Sequence, residues 1–155
     1  MDFINEVFTP SVSHRFATCF MFKGIPSPLD ISFQSISGLS RTLKTTPLSQ
    51  GGENVRNYHL ADKIEHGSLV LERGVMLPTP LTVQFERILR GETVSYADVV
   101  ILLLNNHNIP LTSWTISKAL PVSWQVGDLD ANSNTTLINR LELRYQNMRI
   151  LGAKL

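Results

Sequence analysis

Cysteine is almost missing from this chain. Cys19 stands alone, so no disulfide can form within it, and its place inside the apolar run "FATCFMF" points to a buried, reduced thiol rather than a nucleophile, the state a reducing cytosol would maintain. Charge is scarce as well. Charged residues make up 17% of the sequence, below the roughly 25% usual in soluble domains, so the surface is richer in Ser, Thr and Asn than in ions and suits burial against other copies. The 14 basic and 13 acidic residues leave a formal net charge of +1, without the dense basic excess of a nucleic-acid or anionic-membrane binder. Long hydrophobic runs are missing too. The longest nearly uncharged one, "VVILLLNNHNI", breaks far short of the roughly 20 residues a membrane span needs. The opening "MDFINEVFTPSVSHR" has no basic start followed by an apolar core, so no Sec signal is expected there.

What is present suffices for one domain with a real core: 155 residues, 43% of them hydrophobic. Periodicity points mainly to strands. Residues 14–22 put Phe16, Thr18, Phe20 and Phe22 on one face and Ala17, Cys19 and Met21 on the other, both expected to be buried. Gly24, Pro26 and Pro28 make 23–30 a turn. A strand over 31–40 carries a phase change near Gly38 and continues through "RTLKTT" until Pro47 ends its ladder. After the loop "SQGGEN", strands follow at 55–66 and 67–75.

One helix stands out. Thr79 can cap it, Pro80 suits its first turn, and Leu81, Phe85, Ile88 and Leu89 form an apolar stripe before Gly91 stops it. A hairpin comes next, with a strand at 98–104, a turn over Asn105, Asn106, His107 and Asn108, and a return strand that begins near Pro110. A polar loop and a closing strand over 135–148 complete the pattern. With no repeat or linker, the chain reads as a single mainly β domain over 1–155, with an N-terminal arm of about 13 residues.

Chemical motifs fail on inspection. "GGEN" lacks the Lys, the Ser or Thr at fixed offset and the following helix of a phosphate cradle. "DLDANSN" imitates a calcium loop, but Ser133 stands where Gly is needed and Asn139 where a bidentate Glu is needed. His59, Asp62 and His66 offer no three-ligand set, since 59 and 66 would point to opposite faces of one strand. Trp114 and Trp124 lie in apolar strands and suit packing. No enzyme, metal or cofactor is expected.

The order of four stretches resembles the inner tube proteins of contractile-tailed phages and of related contractile injection systems. "FQSISGL" at 33–39 is similar to that family's Phe-x-x-Val-Ser-Gly-Leu strand, and "SQGGEN" at 49–54 to its Gly-Gly-Glu-Asn loop. "GSLVLERGV" at 67–75 is similar to its Asn-Leu-Thr-Leu-Lys-Arg-Gly-Val strand. Residues 114–134 with "RLELRY" behind them resemble its Trp-containing segment and closing strand. There are departures. Leu60-Ala61-Asp62 replaces a Leu-Pro-Gly turn, Lys118 replaces an Asn before Ala119, and Ser49-Gln50 replaces a charged pair.

The resemblance implies an antiparallel β-sandwich or barrel of tail-tube type with one flanking helix. Six copies would close into a ring around a lumen, and rings would stack into a conduit, with this chain as the main subunit or a tube initiator at the baseplate. Partners would be further tube rings and sheath, baseplate or spike proteins, with no membrane insertion and no sequence-specific nucleic-acid binding. The protein would assemble in the cytoplasm and end in a phage tail or a released particle. Contacts between copies are expected from Phe3, Ile4 and Phe8 in the arm, from Gln50, Gly51, Gly52, Glu53, Asn54 and Arg56 in the loop, and from Asn105, Asn106, His107 and Asn108 at the hairpin tip. The alternative is a secreted β-barrel effector or chaperone that binds cargo and does not stack.

Overall fold

The computed structural model describes residues 15–27, 33–74, 79–134 and 137–152. The chain runs β1 (Phe16–Phe22), β2 (Ile25–Ser27), β3 (Ser35–Ser37), β4 (Arg41–Leu48), β5 (Tyr58–His66), β6 (Ser68–Arg73), α1 (Pro80–Leu89), β7 (Ala97–Leu104), β8 (Pro110–Val126), β9 (Asn139–Arg144) and β10 (Asn147–Gly152). Every pairing among the described residues is antiparallel.

Strand β8 organises the fold because it serves two leaves. Its first half pairs with β7 on one side and β10 on the other, and its second half pairs with β9. Lys118 sits at the change-over with φ 52°, and its amide donates to Asp98 Oδ1 at 3.0 Å, so an acceptor from β7 holds the bend. One leaf is β2-β1-β7-β8-β10 and the other is β8-β9-β6-β3. The result is an open sandwich rather than a closed barrel.

The two inner faces share one core. Phe20, Val99, Ile101, Ile116 and Met148 come from the first leaf, Leu69, Leu71, Leu141 and Leu143 from the second, and Leu81 and Phe85 from α1. Each fully buried Leu, Ile or Phe contributes about 1.5–3 kcal/mol through the surface it withdraws from water. Trp114 and Trp124 pack against this core, and Trp124 Nε1 donates to the buried Asn139 Oδ1 at 3.3 Å.

Helix α1 starts where the sequence indicates. Thr79 caps it and Thr82 returns the bond, its Oγ1 accepting from the Thr79 amide at 2.8 Å. The expected stripe is only half realised, since Leu81 and Phe85 are buried whereas Leu89 is largely exposed. Thr82 takes the remaining buried place through the capping box, a role that hydrophobic spacing does not show.

Other expectations need correction. The strand expected over 31–46 is two strands in different sheets, because Gly38 at φ 88° turns the chain and leaves no room for a Cβ against the Ser68 carbonyl. Pro47 does not end β4, since it pairs with His59 in a two-stranded ribbon where a missing amide can face away from the partner. β5 begins at Tyr58 rather than at 55, and the closing strand is split at Tyr145 and Gln146 into β9 and β10. Cys19 is half-buried, on the face of β1 turned away from the core.

Candidate functional site

Two features stand out as candidate surfaces for contact with other chains. The first is the ribbon β4–β5, whose strands, among the described residues, pair only with each other. Every residue from 41 to 65 is exposed, yet the ribbon displays Leu43, Leu48, Tyr58, Leu60 and Ile64. A two-stranded ribbon is marginal by itself in water, so its root must be held. The Tyr145 hydroxyl lies 3.0 Å from the Gly38 carbonyl oxygen and 3.1 Å from that of Ser40. The Arg41 guanidinium donates to the Met148 carbonyl at 3.2 Å, the Gly67 amide donates to Ser40 O at 3.0 Å, and the His66 ring rests 5.2 Å from that of Tyr145. Burial raises the Tyr145 pKa, while the Ser40 hydrogen bond and the Arg41 charge pull the other way. The phenol therefore remains a donor at neutral pH.

The register shifts between Leu43 and Thr45, so β5 carries one residue more than β4 across that step. This corrects a sequence expectation. His59 pairs with Pro47 and His66 with Arg41, so the two histidines share a face instead of opposing each other. They stand about 20 Å apart along the strand, and no metal-binding group of three or more His, Cys, Asp or Glu occurs among the described residues.

The loop residues Gln50, Gly51, Gly52, Glu53, Asn54 and Arg56 cap the far end of the ribbon, all exposed. Of the two glycines only Gly52 has positive φ, at 90°, and neither has a neighbour within 4 Å of where a Cβ would sit. Within the loop, Glu53 Oε1 accepts from the Val55 amide at 3.4 Å.

Asn105, Asn106, His107 and Asn108 form the β7–β8 turn. Asn105 Oδ1 accepts the amides of His107 and Ile109 at 2.8 and 2.9 Å, and Asn108 adopts φ 60°, which Asn tolerates. Arg15 binds this turn, with one guanidinium nitrogen 3.4 Å from Asn106 O and 3.3 Å from Asn108 Oδ1. The turn and the ribbon belong to separate sheets. Phe3, Ile4 and Phe8 lie outside the described residues.

The second feature is a pair of strand edges that the sequence reading did not find. Four strands run in one unbroken register: Phe16, Leu103, Thr112 and Gly152 form a row, and so do Cys19, Val100, Thr115 and Arg149. β2 pairs with β1 at 20–22. Among the described strands, β1 with its short partner β2 ends the ladder on one side and β10 ends it on the other.

Residues 14–149 match the family of the T4-like virus tail tube protein gp19. The chain belongs to this tail tube family. It is also similar in structure to a chain of the anti-feeding prophage baseplate, solved by cryo-electron microscopy with 6-fold symmetry imposed, at 63% identity and a TM-score of 0.88, covering 95% of this chain and 99% of that one. A chain of the extended sheath-tube complex of an extracellular contractile injection system, PVC, matches at 21% identity and a TM-score of 0.81 over 99% of both chains. A chain of the anti-feeding prophage tube-terminating cap matches at 23% identity and a TM-score of 0.76, over 93% of this chain and 92% of that one. No curated protein matches by sequence. The tail tube protein described here is a structural subunit of a contractile injection apparatus, and its family and neighbours are tube and baseplate components.

Proposed function

We propose that this tail tube protein forms a six-membered ring at the baseplate end of the inner tube and starts the conduit, acting as a scaffold and not as an enzyme. The carrying observation is the four-stranded ladder β1-β7-β8-β10, with β1 toward one margin and β10 at the other. Strand direction alternates along β1-β7-β8-β10, so β10 of one copy beside β1 of the next is again an antiparallel pair. Such head-to-tail contacts close into a ring when the rotation per copy divides a full turn, and closure pairs the exposed edges. The 6-fold baseplate relative supports six copies, and its 63% identity, against 21% for the sheath-tube chain and 23% for the cap chain, supports a baseplate position.

The ribbon β4–β5, with its Gly-Gly loop, then serves contacts between copies or between stacked rings, as do the asparagine turn and the arm carrying Phe3, Ile4 and Phe8. Sheath, baseplate and spike components are the further partners, met during cytoplasmic assembly before the particle is released.

The test is the copy number of this chain in purified particles, by quantitative mass spectrometry, combined with electron microscopy of the isolated protein. About six copies per particle, with single six-fold rings, fits the initiator. Copies by the hundred would make it the repeating tube subunit, and a monomer absent from particles would overturn the reading.

A further inference from the structure

The Nδ1 atom of His66 is enclosed at the root of the ribbon and has no hydrogen-bond partner among the described residues. His66 closes β5, where Arg41 of β4 is its partner in the register and so shares its face. Its ring rests against Tyr145, with the two ring centres 5.2 Å apart. The passage into β6 is tight as well, since a Cβ on Gly67 would run into the Ser40 hydroxyl and the Gly38 carbonyl. The imidazole has little room to shift while the ribbon stays seated.

The groups around this nitrogen are ill suited to a second proton. On β4 the Arg41 guanidinium carries a full positive charge, which also acts on the Tyr145 phenol. Between β9 and β10 Tyr145 directs its hydroxyl at the Gly38 and Ser40 carbonyls, and Met148 on β10 gives its carbonyl to Arg41. On β6 Ser68 brings no charge, and its partner on β9 is a further cation, Arg144. The carboxylate next in the chain, Glu65, alternates to the other face of β5 and is held by Lys44 at 2.6 Å. A neutral imidazole with its proton on Nε2 leaves only a lone pair at Nδ1. An imidazolium would set an N–H there without an acceptor, and a charge beside Arg41.

We propose that His66 is a proton-operated latch on the ribbon: while neutral it keeps its ring on Tyr145 and β4–β5 seated, and on protonation the ring leaves for water and the root loosens. A buried donor without an acceptor and a like charge nearby both disfavour the seated state once the ring is charged. The released ribbon therefore binds one proton more than the seated one. Seating strengthens as pH rises and weakens in acid, around the pH of about 6.5 at which a free imidazole charges. The latch belongs to the single chain and stands independently of ring closure. Its consequence for assembly is that the surface proposed above for contacts between copies is held in one orientation above neutral pH and set loose below it.

The test is amide hydrogen exchange of the isolated protein from about pH 7.5 to about pH 5.5, read as protection factors. Protection across 41–48 and 58–66 should fall about tenfold, while β7 and β8 keep theirs. His66→Phe keeps an aromatic ring on Tyr145 but takes up no proton, and should hold the ribbon's protection level over the whole range. His59→Gln, at the exposed far end of the ribbon, should behave as the wild type. Constant ribbon protection in the wild type, or an equal fall in His66→Phe, overturns the latch. Nitrogen-15 spectra of the wild-type imidazole supply a readout that needs no substitution. The seated ring should carry its proton on Nε2 at about pH 7.5, and its conversion to imidazolium should accompany the loss of protection. A proton found on Nδ1 of the seated ring, or a ribbon that loosens before the ring charges, also overturns it.

Discussion

Tyr145 donates its hydroxyl proton toward the carbonyl of Gly38, 3.0 Å away and 107 residues earlier in the chain. The bond joins the end of β9 to the point where the chain leaves the core for the ribbon. Tyr145→Phe keeps the ring against His66 and removes only the donor. The expected loss is about 0.5–1.5 kcal/mol in urea denaturation, with faster amide exchange in 41–48 and 58–66 and unchanged protection of β7 and β8.

The same phenol adds a pH signature. Its pKa is raised above 10.0 by burial, so the unfolded chain ionises first. The stability it contributes is complete below about pH 10 and falls as pH rises through the unfolded and then the folded value. Thermal unfolding of the wild type between pH 8 and 11 should show this component, and Tyr145→Phe should lack it.

Lys118 adopts φ 52°, a left-handed conformation that costs most side chains about 1–2 kcal/mol and is easier for Asn. The tube-protein pattern read from the sequence has Asn at this position. Lys118→Asn is therefore expected to stabilise the fold by up to about 1 kcal/mol, read as a higher melting temperature with the Asp98 contact retained.

The glycines separate folding from assembly. At Gly38, φ 88° and the Ser68 carbonyl leave a side chain no space, so Gly38→Ala should cost several kcal/mol and reduce soluble yield. Gly51→Val meets open space without left-handed backbone and should leave monomer stability within about 0.5 kcal/mol while impairing docking between copies. Normal assembly by Gly51→Val would remove the loop from the interface.

The edge of β10 gives the sharpest assembly variant. Met148 turns its carbonyl to Arg41 rather than to β8, and strand alternation turns the amide and carbonyl of Ile150 the same way. Ile150→Pro removes that outward amide while leaving the bonds to β8. A folded monomer that no longer forms rings is expected from light scattering and negative-stain microscopy.

Elements that contact the core were legible in the sequence. The apolar alternation of β6 and β9, the run in β7 and the Thr79-Pro80 start of α1 all carry the pattern of what they pack against. The ribbon does not, because neither of its faces is buried in the single chain and its sequence has no face to mark. Pro47 looked like a stop for the same reason: an unshared strand edge is invisible until the pairing is known. The margins of the ladder were hidden for a subtler reason, since a margin is a property of sheet order, and sheet order places residues 19 and 149 on opposite sides of one ladder. The loop and turn were legible as loops, whereas the contacts proposed for them depend on surfaces that belong to other copies.

Arg41 occupies one outward carbonyl of β10, at Met148. For an incoming strand this works as a mark on a ruler. Backbone pairing alone would let a neighbour slide by two residues at almost constant energy, and each slip would change the tilt of the growing wall. A guanidinium fixed at one end of the edge would make one alignment the longest available, so the pitch of the proposed ring would be set by a side chain that belongs to the root of the ribbon.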